Sequence, residues 1–495
     1  MVRVTVSDRR VNLRMYFFVN QGIGHSNSGV EHAQFYRAAR FREQGLPFKL
    51  VFTDHLPQLH QHMSEWQLAE HEVIGLYDYL LSDDPDDYLQ QGTPDPQVYY
   101  EESLWDTEQT QRLLFRQATG RYTETIQRRK RRTRDGEYIV VDDRVILENQ
   151  QHRVTWHYQY DGENGKRPVN IHVDNFRGQH YLFTTQEELL TFFFAELQRY
   201  FTQNVYFVDR GVSHEAALIS LKQAGSPLQL GVVIHAAHFV GFVNSHPLWN
   251  TYYQYLFDHL AVVDVIIVST HQQREDILSQ LQTLGVSDVA DKIVVIPVGG
   301  MPTIAPSRHW QGPTAKFVTA ARLHVEKNLT HVIMAVKQLR DAGMPLTLAI
   351  YGVGQEYAPL AQFIQTHQLA DVVTLKGLSQ DMLADMQQYD AFVSASYSEG
   401  FGLAYLEAMS LGLPIATYAN RYGAQTLVRD GENGYLAAFE PQTTAEAQNI
   451  THLAAAMRRI FDNYDALSRG ASRRSSAFLN ADIARQWWRL VEALR

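Results

Sequence analysis

Two acidic residues, Glu399 and Glu407, bracket a glycine-flanked turn in the string ASYSEGFGLAYLEAM, which follows directly on the apolar run AFVSAS. In open α/β sheets ligands sit outside the carboxyl ends of the strands, so a strand ending at Ser396 would deliver this turn to a binding site. A helix opening near Phe401 would aim the backbone N–H groups of Gly400, Phe401, Gly402 and Leu403 outward, where they can hold oxygens of a sugar or a diphosphate. Glu407 would then lie about two turns along and on roughly the same side as Glu399. One carboxylate can face a sugar while the other accepts a hydrogen bond from a ribose. Two surface glutamates beside a tight helix start are the bland alternative, and it leaves the coincidence of glycines, strand end and acids unexplained.

Cations stand at a second strand end. In ARLHVEKNL, after the run AKFVTA, Arg322 is followed five residues on by Lys327. Such a pair can neutralise a diphosphate and stabilise the charge that develops as a sugar leaves, work otherwise done by a metal ion. Histidines stand at a third. His235 closes the buried run LQLGVVIH and His238 follows it, although most histidines on an apolar strand are satisfied core residues. The opening loop NQGIGHSNSG carries Gly22 and Gly24, but not the G-x-G-x-x-G spacing of a dinucleotide site. At its end Gly29, Val30, Glu31 and His32 start a helix whose backbone can approach phosphates.

Two further strings point elsewhere and are read as solvated. Asp84-Pro85-Asp86 has the D-x-D form used to hold a metal, but lies in an acidic loop and not at a strand end. The basic run Arg128, Arg129, Lys130, Arg131, Arg132 and Arg134 can attract nucleic acid or a membrane surface, yet no RNA-binding motif accompanies it.

The elements that would position these residues alternate. VNLRMYFFV reads as a strand, VEHAQFYRAARFRE as a helix and FKLVFTD as a strand. From about His55 to Thr185 the character changes to alternating aromatic and β-branched stretches separated by DG turns, an antiparallel β-meander inserted into the first α/β series. The rhythm returns with QEELLTFFFAELQRYF as a helix and NVYFVDR, LQLGVVIHAAHF, VDVIIVST and KIVVIPV as strands. A second series follows Gly299, Gly300 and Pro302: AKFVTAARL, LTLAIYGVG, VVTLKGL, AFVSAS and PIATYA. Nearly all-apolar strands alternating with helices mean parallel sheets covered on both faces. The expected division is 1–54 with 200–300 as a first Rossmann-like domain, 55–199 as the insertion and 301–475 as a second Rossmann-like domain. A final helix in 476–495 would pack back on the first.

Composition agrees with a globular chain of two or three domains: 495 residues, 45% apolar and 12% aromatic. A net charge of −10 gives no global attraction to nucleic acid. Zero cysteines exclude disulfides and Cys-ligated zinc. No apolar run is long enough to span a membrane, and Arg3, Asp8, Arg9 and Arg10 interrupt any signal-peptide core. A protein that stays in the cytoplasm is the expectation, and Met15 serves equally well as the start.

The stretch EGFGLAYLE resembles the E-x7-E signature of family 4 retaining glycosyltransferases with the two-domain GT-B fold. The resemblance implies that Glu399 binds donor-sugar hydroxyls and Glu407 the ribose, that Arg322 and Lys327 form the R-x4-K phosphate pair, and that His235, with His238 second, contacts the donor sugar. Over both α/β series the chain is similar to one branch, the GtfA-type protein O-glycosyltransferases that modify serine-rich repeat adhesins. The matching stretches are NQGIGHSNSGVEHAQFYRAARF, KLVFTD, IHAAHF, VIIVSTHQQ, KIVVIPVGG, ARLHVEKN, ASYSEGFGLAYLEAM and RDGENGYL. The resemblance implies that 1–54 with 200–300 form the acceptor side, that 301–475 bind the nucleotide sugar and that the insertion 55–199 binds the acceptor, although within the meander the similarity is of pattern alone.

That likeness implies transfer of N-acetylglucosamine, or glucose, from UDP to Ser or Thr hydroxyls with retained configuration, as the first step of adhesin glycosylation. It implies no metal and no cofactor, UDP-N-acetylglucosamine or UDP-glucose as donor, and a non-catalytic homologous partner, GtfB. Attachment to the membrane, if any, would be peripheral at its inner face. Nucleotide contacts carried over are Gly29 to His32 and the Leu378-Ser379 turn after VVTLKG, with sugar contacts from Glu399 to Gly402. Two competing readings share these motifs: a wall-teichoic-acid glycosyltransferase, and a non-catalytic subunit that presents substrate. Four intact residues, Glu399, Glu407, Arg322 and Lys327, argue against the second.

Overall fold

The computed structural model describes residues 11–93, 100–106, 111–118, 122–162 and 165–494. The four charged residues Arg3, Asp8, Arg9 and Arg10 lie outside the described residues. Two compact units divide the chain, one made of 1–34, 41–233 and 251–265, the other of 35–40, 234–250 and 266–495.

The first unit combines a parallel and an antiparallel sheet. Its parallel strands run in the order Gln229–Ile234, Phe201–Val208, Val11–Asn20, Phe48–Phe52 and Val73–Gly75. All five residues of Phe48–Phe52 are buried, as expected of a parallel strand covered on both sides. Aromatic edges fill the layer between sheet and helix: Phe41 meets Phe18 at 4.9 Å and 90°, and Tyr16 at 5.4 Å. After Asp54 the chain adds Val73–Gly75 to this sheet before the meander begins at Tyr100.

Seven strands from Tyr100 to Thr185 then pair antiparallel, each with its neighbour in sequence, which is the meander expected from the DG turns. The helix Gln186–Tyr200 returns beneath it and buries Leu189, Leu190, Phe193, Phe194 and Leu197. The acidic string at 82–87 is not a free loop. Asp84 caps the helix Pro85–Gln91 by accepting from Asp86 N and Asp87 N, and Asp86 is held by Arg177 and by Arg199, the latter at 3.0 Å. Its charge is thus balanced by two guanidiniums, both on Oδ1, in a structural ion-pair cluster with Glu196.

The second unit holds a six-stranded parallel sheet in the order Val373–Gly377, Leu346–Tyr351, Ala315–Ala320, Ala391–Ser394, Ile415–Tyr418 and Gly434–Ala437. Its core is built from the inward faces of these strands and of the helices Leu329–Asp341 and Glu446–Arg459. Because Ala315–Ala320 and Ala391–Ser394 are neighbours at the centre, the loops that follow them open at one end of the sheet. The closing helix Asn480–Ala493 buries Trp487, whose ring lies 5.2 Å from the Arg37 guanidinium, while Tyr36 donates to Asn480 at 3.0 Å. The α/β architecture read from alternating apolar runs is thus the observed one.

Candidate active site

Arg322 and Lys327 follow the central strand Ala315–Ala320 through a loop that a second loop clamps. In the string Gly352-Val353-Gly354 the two glycines take φ of +139° and +154°, and a Cβ there would meet the carbonyl oxygens of Ala321 at 1.9 Å and Leu323 at 2.3 Å. Only glycine permits that approach. Leu323 N donates to Val353 O at 2.9 Å and Gly352 N to Gly377 O at 2.8 Å, which brings the Leu378-Ser379 turn beside the same loop. Ser379 spends its hydroxyl on Asp385 at 2.6 Å, and Leu378 is exposed.

Lys327 closes the 3-10 turn Val325–Lys327, and left-handed Asn328 (φ +45°) ties the turn to the neighbouring strand end by donating to Ala395 O at 3.1 Å. Nζ of Lys327 consequently reaches Oε1 of Glu399 at 2.7 Å, with the two side chains only 15% and 20% exposed. The two residues predicted from separate strand ends are therefore in contact. Arg322 is turned instead to Glu326 at 2.9 Å, with both side chains about half exposed. An exposed pair of this kind is worth only about 0.3–0.5 kcal/mol and opens readily to a competing anion.

Glu399 is held through its backbone. Its carbonyl accepts from Tyr422 N at 2.6 Å and Gly423 N at 2.8 Å, and its N–H donates to Arg421 O at 3.2 Å. Next to it Gly400 has no room for a side chain, because a Cβ would lie 2.0 Å from the His235 carbonyl oxygen. His235 thus flanks the acidic turn. Phe401 is buried against the ring of Phe478 at 5.7 Å and offers only its backbone. The strand here ends at Ser394, not Ser396, and the helix starts at Leu403, two residues later than expected, after Gly402 adopts φ +88°. The left-handed residue turns the chain sharply, so the Glu399–Gly402 stretch is a loop in front of the helix and not its first turn. Glu407 sits mid-helix, and burial pushes its carboxyl up to about 7.

His238 has the other role that histidines on apolar strands take. It is fully buried, its Nε2 lies 2.9 Å from Gln280 Oε1, and its Nδ1 lies 3.4 Å from the Tyr422 hydroxyl, over a ring stacked at 5.8 Å. Burial pulls it down to about 4. It supports Tyr422, and through Tyr422 the backbone of Glu399. Tyr422, Asn328 and the Gly352-Gly354 loop were not among the residues singled out in the sequence, although G-V-G after an apolar run is a visible signal.

In the first unit the helix Gly29–Glu43 starts with a capping box. Glu31 accepts from Ser28 N at 2.7 Å, Ser28 Oγ at 2.6 Å and Asn20 at 3.0 Å, and pairs with Arg210 at 3.3 Å. Burial would raise this carboxyl, but the Ser28 and Asn20 hydrogen bonds and the Arg210 charge outweigh it and hold it low. The Glu31 side chain is therefore committed to the loop. Gly29 has open space where a Cβ would stand, Val30 N donates to Ser28 Oγ at 3.3 Å, and His32 is exposed against the edge of Trp66 at 5.1 Å.

Comparison with known proteins adds the following. The family of glycosyl transferases group 1 matches residues 302–468. The UDP-N-acetylglucosamine–peptide N-acetylglucosaminyltransferase GtfA subunit of Streptococcus gordonii is 28% identical over 96% of this chain and 98% of its own. Among solved structures, the pneumococcal O-GlcNAc transferase GtfA in complex with UDP and GlcNAc is similar over 97% of this chain and 99% of that one, at 25% identity and a TM-score of 0.72. A GtfA/B complex matches over the same share of this chain at 25% identity with a TM-score of 0.70.

Proposed function

Since this chain is a glycosyltransferase of the GtfA type with the GT-B fold, we propose that it transfers N-acetylglucosamine from UDP-N-acetylglucosamine, with retention, to Ser and Thr hydroxyls of a serine-rich repeat protein. The observation that carries this is the contact between Lys327 and Glu399 at the central strand ends, flanked by His235. It joins a phosphate-binding charge to a sugar-binding carboxylate in a cradle made by glycines.

In the proposed reaction Glu399 accepts hydrogen bonds from donor-sugar hydroxyls while the N–H groups of Gly400 to Leu403 face its oxygens. Glu407 receives the ribose hydroxyls, which favour its carboxylate. The bond from the anomeric carbon to the β-phosphate oxygen breaks as the acceptor oxygen adds on the same face, and the departing phosphate oxygen takes the acceptor proton. Arg322, freed from Glu326, and Lys327 carry the charge that collects on UDP, so the step calls for no metal ion. His235 touches the sugar. The Leu378-Ser379 turn and Gly29 to His32 are proposed as nucleotide contacts through their backbones.

By likeness to the relatives' names we include a homologous partner of the GtfB kind in the proposal. We propose that the reaction runs in the cytoplasm with any membrane attachment peripheral. Among the described residues no helix is long and apolar enough to cross a membrane. Incubating the chain, with and without that partner, with a panel of UDP-sugars and either a Ser/Thr-rich peptide or a polyol phosphate, then weighing the products, tests all of this. A mass increase of one N-acetylhexosamine on the peptide is expected. Modification of the polyol phosphate alone would overturn the acceptor assignment.

A further inference from the structure

Immediately after His235 and His238 the chain leaves the second unit's body as a two-stranded ribbon, Phe239–Val243 paired antiparallel with His246–Trp249. Asn244 and Ser245, both left-handed at φ +48° and +67°, form the turn that suits a tight hairpin. The base is fixed to the residues of the site. Asn250 N donates to His238 O at 2.9 Å, Asn250 Nδ2 donates to Ala237 O at 3.1 Å, and Gln273 of the helix His271–Thr283 donates to Ala236 O at 2.8 Å. Trp249 is buried beside the His238 ring.

What the ribbon shows to solvent is unusual for a protein surface. Val240 is 65% exposed, Phe242 57%, Val243 58% and Leu248 50%, and from Phe239 to Trp249 there is no Asp, Glu, Lys or Arg. Natural proteins protect such edges with charge, proline or a covering element. One strand has that protection, since Pro247 removes a backbone donor from His246–Trp249. The other strand, Phe239–Val243, has none, and among the described residues no third strand pairs with it.

We infer that the Phe239–Val243 edge docks the acceptor polypeptide as an added strand and feeds its hydroxyls toward His235. This rests on the function proposed above. Two features select this occupant. An added strand is held through main-chain hydrogen bonds, which accept any side chain at alternate positions and so suit a substrate modified at many similar sites. An uncharged apolar ribbon also complements a chain rich in Ser and Thr and poor in charge, whose methyl and methylene groups can lie against Val240 and Phe242. Continuity with the catalytic residues is covalent, because the ribbon begins four residues after His235.

Two variants and one substrate series test it. Val240→Ser/Phe242→Ser/Leu248→Ser and the single change Phe242→Asp should each raise the KM for a synthetic Ser/Thr peptide tenfold or more, with the Kd for UDP, measured by calorimetry, within twofold of the parent. A peptide scanned with single N-methyl groups should lose transfer at every second position within a window of about five residues, the periodicity of a paired strand. Unchanged peptide KM, a flat N-methyl profile, or a shift in UDP affinity would overturn the docking role. Loss of self-association or of binding to the homologous partner, with peptide KM unmoved, would do the same by assigning the ribbon to another occupant. If the parent chain transfers sugar to no peptide at all, it is the proposed function that fails, independently of how the variants behave.

Discussion

Residue chemistry here is set by what each group can pair with before substrate arrives. Lys327 and Glu399 neutralise each other at 2.7 Å, so an anion entering beside Lys327 meets a cation already oriented and poorly hydrated. Lys327→Ala is expected to lower kcat by about 10²–10³ while the Kd for UDP weakens far less, because a leaving group gains more charge in the transition state than in the bound donor. Stopped-flow UDP release and calorimetry separate the two, and equal loss in both would assign Lys327 to simple binding. Glu407 gives a pH signature. With its carboxyl at about 7, acidification from pH 8 to 6 protonates the group proposed to accept from the ribose, so donor KM should rise over that interval and the rise should vanish in Glu407→Gln. That Lys327 and Glu399 stand at neighbouring strand ends was legible in the sequence, since spacing beside strand ends is a local property, whereas the turn of Arg322 toward Glu326 was not. Nor was the place of His238. Whether a histidine faces substrate or lies stacked beneath Tyr422 depends on a residue about 180 positions away.

At the level of elements, the decisive parts are loops whose backbones touch. Gly354 leaves no space for a methyl group against Leu323 O, and the loop it clamps carries Arg322. Gly354→Ala should therefore push the Arg322 loop aside, lowering kcat at least tenfold and the melting temperature by about 3 °C or more, readable by calorimetry on the same sample. A variant with parent-like activity would show that the loop's position is held by other contacts. Strand and helix types were recoverable from the apolar runs, but the boundaries at the Glu399 turn were displaced by two residues. A left-handed Gly402 ends the turn in a way that helix periodicity does not report. The ribbon after His238 escaped the sequence for a related reason. Its turn is Asn-Ser and not Asn-Gly, and its strands lack the polar alternation that marks a half-buried hairpin.

Taken over the whole molecule, buried titratable groups in both units bias stability toward mildly acidic pH. In the first unit burial pushes Glu215 up to about 8. His60 is pulled down by burial but raised further by Asp78 and Glu70, to about 9. In the second unit Glu407 stands at about 7. All three bind protons more tightly folded than unfolded, so their contribution is fully present below the unfolded values, near 4.5 for Glu and 6.5 for His, and is lost as pH rises through the folded ones. Buried His214 and His238, both near 4, act in the opposite sense: their stabilisation is present above pH 6.5 and is lost as pH falls toward 4. Between about 4.5 and 6.5 the two sets oppose each other, and above 6.5 only the first set still titrates. The melting temperature should accordingly fall from pH 6.5 to 9, by about 5 °C or more, and Glu215→Gln with Glu407→Gln should remove somewhat less than half of that slope, His60 carrying the rest, while stability between pH 4.5 and 6.5 should rise more steeply than in the parent because the opposing carboxyls are gone. Scanning calorimetry of parent and double variant at half-unit steps of pH makes the comparison. A parent whose stability is level or rising between pH 6.5 and 9 would mean that these carboxyls ionise without cost, and that the buried state of Glu407 is not the one populated in solution.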